Sequence, residues 1–198
     1  MFLVGFIPQQ QQSATNKNAV ADSVGLLQKQ KKALDKRNIS YKTKGVTVWV
    51  KLYDKSKLLR IRNDKWPDQE KIEYTYNVVK DATGNIVMVM AYPTSQSGDW
   101  DIGYTHYFDI SGKVIAFERF TGFFNSGCAG TDEAAHERIV NYYNNNFKLI
   151  HKTYKLTNSK GKKLVKSKCD FPYNFKDYKI YPDVAKCLAG YHINANLL

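Results

Sequence analysis

The sequence predicts an α+β fold: an antiparallel β-meander of about six strands, covered by an N-terminal helix and by a second helix near residues 131–143. Three observations predict it. Short segments that alternate apolar and polar residues recur from Val46 onward. Two turn phrases of the same chemistry, Asp81-Ala82-Thr83-Gly84 and Asp109-Ile110-Ser111-Gly112, punctuate them. The apolar spacing changes to a helical period on either side of the meander. Long antiparallel strands with a helix at each end of the run suit a helix-on-sheet layering, with a cup-like half-barrel around a helix as the alternative. A chain of 198 residues fits one domain, here 17–198, preceded by an appendage at 1–16.

Taken in order, Ala19 to Arg37 places Val20, Val24, Leu27 and Leu34 on one helical face, with Lys29, Lys32, Asp35 and Lys36 mainly on the other. After Gly45, Val46, Val48, Val50 and Leu52 alternate with Thr47, Trp49, Lys51 and Tyr53 as a half-buried strand. Leu59 and Ile61 mark a shorter strand, stopped by the stretch around Pro67. Ile72, Tyr74, Tyr76 and Val78 form the next strand, and Ile86 to Tyr92 is apolar on both faces and therefore central. In both turn phrases the Asp can bond its own following backbone and the Gly is free to take positive φ, which is hairpin chemistry.

Thr131 is read as an N-cap, with Asp132 and Glu133 in the first turn and Ala135, Ile139 and Tyr142 on one face of the second helix, which Asn144 to Asn146 end. A weaker turn, Asn158 to Gly161, joins a strand from Phe147 to Leu156 with one from Lys162 to Lys168. A last short helix runs from Pro182 to Ala189, with Val184 and Leu188 inward and Gly190 as its stop.

Charge is segregated along the chain. Residues 17–65 carry net +10, residues 66–147 net −6 and residues 148–186 net +8, which together give the formal +12. Lysines outnumber arginines 25 to 5, which argues against a site-specific nucleic-acid reader, since bidentate recognition of bases and phosphates leans on Arg. Non-specific polyanion binding remains open through Lys160, Lys162, Lys163, Lys166 and Lys168, together with the early basic segment from Lys29 to Lys44. The plainer reading is a lysine-protected sheet edge. No apolar run is long enough for a membrane-spanning helix.

Met1 to Ile7 is apolar and is followed by Pro8 and Gln9 to Gln12. It reads as the remnant of a secretory signal, against a loosely docked terminus, and places the protein outside the cytoplasm, in a periplasm or secreted. In such a compartment Cys169 and Cys187 are the expected disulfide, because they enclose an irregular, aromatic-rich lobe, and Cys128 is left over. No Cys pair or His pair has metal-ligand spacing, so neither metal nor cofactor is expected.

Candidate sites follow from residue type. Cys128, just ahead of a predicted helix N-terminus, would be a nucleophile if His136 or His151 met it, and a thiol-dependent hydrolase or transferase is the enzymatic alternative. Trp66, Asp99, Trp100 and Asp101 would make a stacking platform beside carboxylates, suited to a sugar or a cationic ligand, with both Trp at one end of the sheet. His106 shares its strand face with Ile102, Tyr104 and Phe108 and reads as a core histidine. Glu118 and Arg119 point to opposite faces, so one of them is expected to be partly buried. No usual catalytic constellation is present, so the sequence favours a non-catalytic binding or interaction module with a protein or glycan partner.

Overall fold

The computed structural model describes residues 23–130, 133–171 and 178–198. Eight strands form a single antiparallel sheet: β1 (Val46–Leu52), β2 (Leu59–Arg60), β3 (Ile72–Lys80), β4 (Ile86–Pro93), β5 (Trp100–Phe108), β6 (Val114–Phe123), β7 (Ala135–Tyr143) and β8 (Leu149–Asn158). Their order is β2-β1-β3-β4-β5-β6-β7-β8, so apart from the β2 hairpin at one edge every strand lies beside its sequence neighbour. The meander is as predicted, but it has eight strands rather than about six.

Four tight turns of one design drive the meander. At Asp81, Asp109, Asn144 and Asn158 the backbone N–H of the first turn residue donates to the carbonyl four positions on, and its own carbonyl accepts the N–H three positions on. Its side chain repeats the bond. Asp81 Oδ1 accepts from the N–H groups of Thr83 and Asn85, Asp109 from Ser111 and Lys113, Asn144 from Asn146 and Lys148, and Asn158 from Lys162. The fourth residue must take positive φ, which Gly84 does at 91° without steric cost and Phe147 does at 59° despite its Cβ.

One face of the sheet is covered by helix α1 (23–35), whose Leu27 and Leu34 pack on Val79, Met88, Tyr107, Ala116 and Val140. The other face is covered by the C-terminal segment, including α2 (Val184–Gly190), which buries Cys187 and Leu188 against Val89, Phe108 and Phe117. Asp183 caps α2 by accepting from the Lys186 N–H. Along these strands Ile72, Val87, Val89, Phe108 and Phe117 are buried and Tyr74 is half-buried.

Three expectations need correction. The helix near 131–143 is instead strand β7, with Thr131 and Asp132 lying outside the described residues. Ala135, Ile139 and Tyr142 do fit a helical face. However, Ile139, Val140, Tyr142 and Tyr143 are β-branched or aromatic, and β6 offers an open edge that pairs them from Ala116–Tyr142 to Phe123–Ala135. Lys162 to Lys168 is not a strand. It makes a single bridge, Thr157 to Lys163, and then a 3₁₀ turn at Lys166–Lys168.

The third correction is the disulfide, which joins Cys128 to Cys169 with their Cα atoms 4.7 Å apart, leaving Cys187 as a buried free thiol. α2 turns Cys187 inward to the core, whereas Asp170 N–H bonds to the Ser126 carbonyl and so brings the two bridged segments together. The appendage at 1–16 and the first residues of the predicted N-terminal helix lie outside the described residues.

Candidate functional site

Register places one row of side chains straight across the sheet face beneath the C-terminal segment: Trp49, Tyr76, Ala91, Tyr104, Arg119, Ile139 and Tyr154 are successive neighbours. Ala91 stands between two tyrosines. Its small side chain lets Tyr178, Tyr181 and Tyr191 of the C-terminal segment close over it, so that Ala91 itself is fully buried and the cleft lies among the rings above it. The result is a cleft of about 380 Å³ lined by six tyrosines: Tyr74, Tyr76, Tyr104, Tyr178, Tyr181 and Tyr191. That volume is at the small end of the range typical of ligand clefts, about 300–1,000 Å³.

The rings are held by one another. Tyr74 stacks on Tyr76 at 5.8 Å, Tyr76 meets Tyr191 at 5.1 Å, Tyr104 stacks on Tyr178 at 5.3 Å, and Tyr181 meets Tyr191 edge-on at 5.5 Å. Gly190 makes room for this packing, since a Cβ there would lie 2.1 Å from the Tyr181 hydroxyl. Burial pushes the Tyr76 and Tyr191 phenols up, so these two hydroxyls stay neutral over the physiological range. At the mouth, Lys51 pairs with Glu73 at 2.8 Å, and Lys179 stands 5.6 Å from the Tyr181 ring centroid.

Farther along the same face, Arg119 and Glu137 form a buried pair, joined by Lys166 and by the Tyr154 hydroxyl, which donates to Glu137 at 2.9 Å. Burial pushes the Glu137 carboxyl up. The hydrogen bonds from Lys166 and Tyr154 and the charge of Arg119 together outweigh it and hold the group below its ordinary value. His106 is wholly buried, its Nε2 accepting the Tyr181 N–H at 3.1 Å, and desolvation pushes it down to about 3, so it is a neutral core residue.

On the opposite face, Lys31 of α1 reaches Glu118 at 2.5 Å and Asp35 at 2.9 Å, while Arg138 holds the other Glu118 oxygen at 3.0 Å. The Tyr107 hydroxyl donates to Asp35 at 2.8 Å. Glu118 and Arg119 therefore do face opposite ways, but both are buried, each with a countercharge.

The sequence-predicted candidates are scattered. Cys128 is tied up in the disulfide and is not a thiolate, and among the described residues behind it the next element is strand β7 and not a helix. His136 sits opposite Gly122 on the α1 side of β7, with its Nε2 3.4 Å from Ser159 Oγ, and His151 lies beside Tyr142 toward the far end of β8. Asp101 leans over Gly122, and Trp100 packs against the core at the start of β5. Trp66 is 42% exposed and meets Tyr41 edge-on beside the start of β1, which is the opposite end of the sheet from Trp100, so the two Trp do not form one platform. Asp99 contributes its carbonyl to the Phe124 N–H.

The basic segments also part. Lys31 is on the α1 face and Lys166 on the other, and Lys160 is paired with Glu133 at 2.5 Å, so the two runs do not make one patch. Lys162, Lys163 and Lys168 are exposed. Among the described residues no cluster of three or more His, Cys, Asp or Glu is placed to hold a metal ion.

Reading residues for chemistry passed over the tyrosine cleft, because Tyr74, Tyr76 and Tyr104 look like ordinary inward strand positions. The available signal was tyrosine in place of aliphatic residues at those positions. No protein-family model, curated protein or solved structure matches the chain.

Proposed function

We propose that this protein is a non-catalytic binding module acting outside the cytoplasm, and that the tyrosine cleft seats a small ring-bearing ligand. The observation that carries the reading is the cleft lining itself, in which three tyrosines of the sheet, Tyr74, Tyr76 and Tyr104, face three of the C-terminal segment, Tyr178, Tyr181 and Tyr191. Tyr offers a flat apolar face and a polar tip at low conformational cost, which suits recognition more than core filling. The Cys128–Cys169 bridge supports an oxidising compartment, since such bonds persist outside the reducing cytosol.

Saturation-transfer NMR tests the reading, using a panel of methyl glycosides, aromatic acids and choline against the parent protein and a Tyr74→Ala/Tyr178→Ala variant. Both positions are half-buried at the cleft wall, so the variant keeps the central strands intact. At least one ring-bearing probe, a glycoside or an aromatic acid, is expected to bind the parent and to lose tenfold or more in the variant. A panel in which nothing binds, or in which parent and variant bind alike, overturns it.

A further inference from the structure

The charges at the cleft mouth narrow the ligand. Resting on the cleft reading above, we infer that the site takes a pyranose ring carrying a carboxylate, a hexuronic-acid residue of an acidic glycan, with Lys179 as the group that binds the carboxylate. Three features of the cleft lead there.

First, the lining is amphipathic. Among the described residues the hydroxyls of Tyr74, Tyr76, Tyr181 and Tyr191 make no hydrogen bond to the protein, and none is a sealed, unsatisfied atom, so they are open to a ligand. A purely apolar ligand would strip water from these groups without replacing its hydrogen bonds, which costs affinity. A polyhydroxylated ring puts C–H faces on the aromatic planes and its hydroxyls on the phenols.

Second, the cation balance excludes the other usual occupant of an aromatic box. Such boxes recognise quaternary ammonium groups through the negative ring faces. Here Lys51 and Lys179 against Glu73 leave one positive charge at the mouth, in a chain of net +12, and that field repels a cation and attracts an anion.

Third, the two lysines are not equivalent. Lys51 is engaged with Glu73 at 2.8 Å, whereas Lys179 has no carboxylate at ion-pair distance among the described residues. It is the cation left over for a ligand carboxylate. A lysine point charge binds a single carboxylate hanging from a ring without the planar fork that Arg would supply.

The experiment compares methyl β-D-glucuronide with methyl β-D-glucoside, probes that differ only at the carboxylate. Dissociation constants are measured by NMR titration at low salt on the parent protein and on Lys179→Gln, with thermal melting as the fold control. The glucuronide is expected to bind the parent at least tenfold tighter, and Lys179→Gln to erase that preference while leaving the weak glucoside binding and the melting temperature unchanged.

If both glycosides bind equally, or if Lys179→Gln retains the preference, the carboxylate assignment falls and the cleft reading stands. Should choline or an aromatic acid bind and the glucuronide not, the ligand class is wrong while the cleft remains the site. If nothing in the wider panel binds, the cleft reading falls and this inference with it.

Discussion

At the scale of single residues, the most consequential group is Glu137. It is fully buried and engaged by Arg119, Lys166 and Tyr154, so its charge is compensated only while all of them are in place. Glu137→Gln removes the carboxylate from this buried ion pair, and breaking such a pair costs about 3–5 kcal/mol. Because the folded-state value of this carboxyl is depressed, its stabilisation is fully present above its ordinary value of 4.5 and is lost as pH falls through the lower folded value. Urea unfolding is therefore expected to separate parent and Glu137→Gln widely at neutral pH and to bring them together as pH falls below the ordinary carboxylate range. A constant gap across that range would show that packing, not charge, accounts for the loss. His106 acts in the opposite sense to a stabilising ion. Burial opposes its protonation, so it adds to acid lability as pH falls from its ordinary 6.5 toward about 3.

At the scale of elements, the hairpin turns set the register of the meander. Each combines an Asx side chain with a positive-φ position, and both halves were visible at Asp81–Gly84 and Asp109–Gly112 as residues of the right type at the right offset. Gly84 has open space around its missing Cβ, so Gly84→Ala isolates the backbone term from any clash. It is expected to cost about 1–2 kcal/mol, the left-handed penalty for an L-residue, read as a lowered melting temperature with an unchanged circular dichroism spectrum. An unchanged melting temperature would mean that the turn relaxes. The turn at Asn144 was missed because its fourth residue is Phe147, and no sequence rule assigns positive φ to a phenylalanine. Missing that turn let residues 131–143 be read as a helix, since a strand there is specified by pairing with β6 and not by anything local.

At the scale of the whole molecule, the Cys128–Cys169 bridge closes 41 residues of chain around β7 and β8. On the chain-entropy estimate, closing such a loop stabilises by about 4 kcal/mol. Paired Cys128→Ser/Cys169→Ser substitution is expected to lose most of that in chemical denaturation. A non-reduced digest is expected to yield a crosslinked Cys128–Cys169 peptide. Thiol labelling should find no reactive cysteine in the native protein and one, Cys187, after unfolding, because burial pushes that thiol up and shields it. Labelling of the native protein, or a Cys187-containing crosslink, would contradict this arrangement.

What the sequence determined by itself is what local chemistry encodes: the alternation that makes strands, the Asx-plus-glycine turns that make them antiparallel neighbours, the amphipathic α1, the presence of the short α2, and the core character of Val89 and His106. What only the tertiary structure decided depends on which distant segments meet. The partner of Cys169 is set by a backbone bond between Asp170 and Ser126, and the separation of the basic runs by the two faces of one sheet. The cleft exists because register puts Ala91 between Tyr76 and Tyr104 while the C-terminal tyrosines arrive from about 100 residues away, a juxtaposition that no window of sequence contains. A side chain's type is local information, but an unfilled space is a property of the packing of all its neighbours.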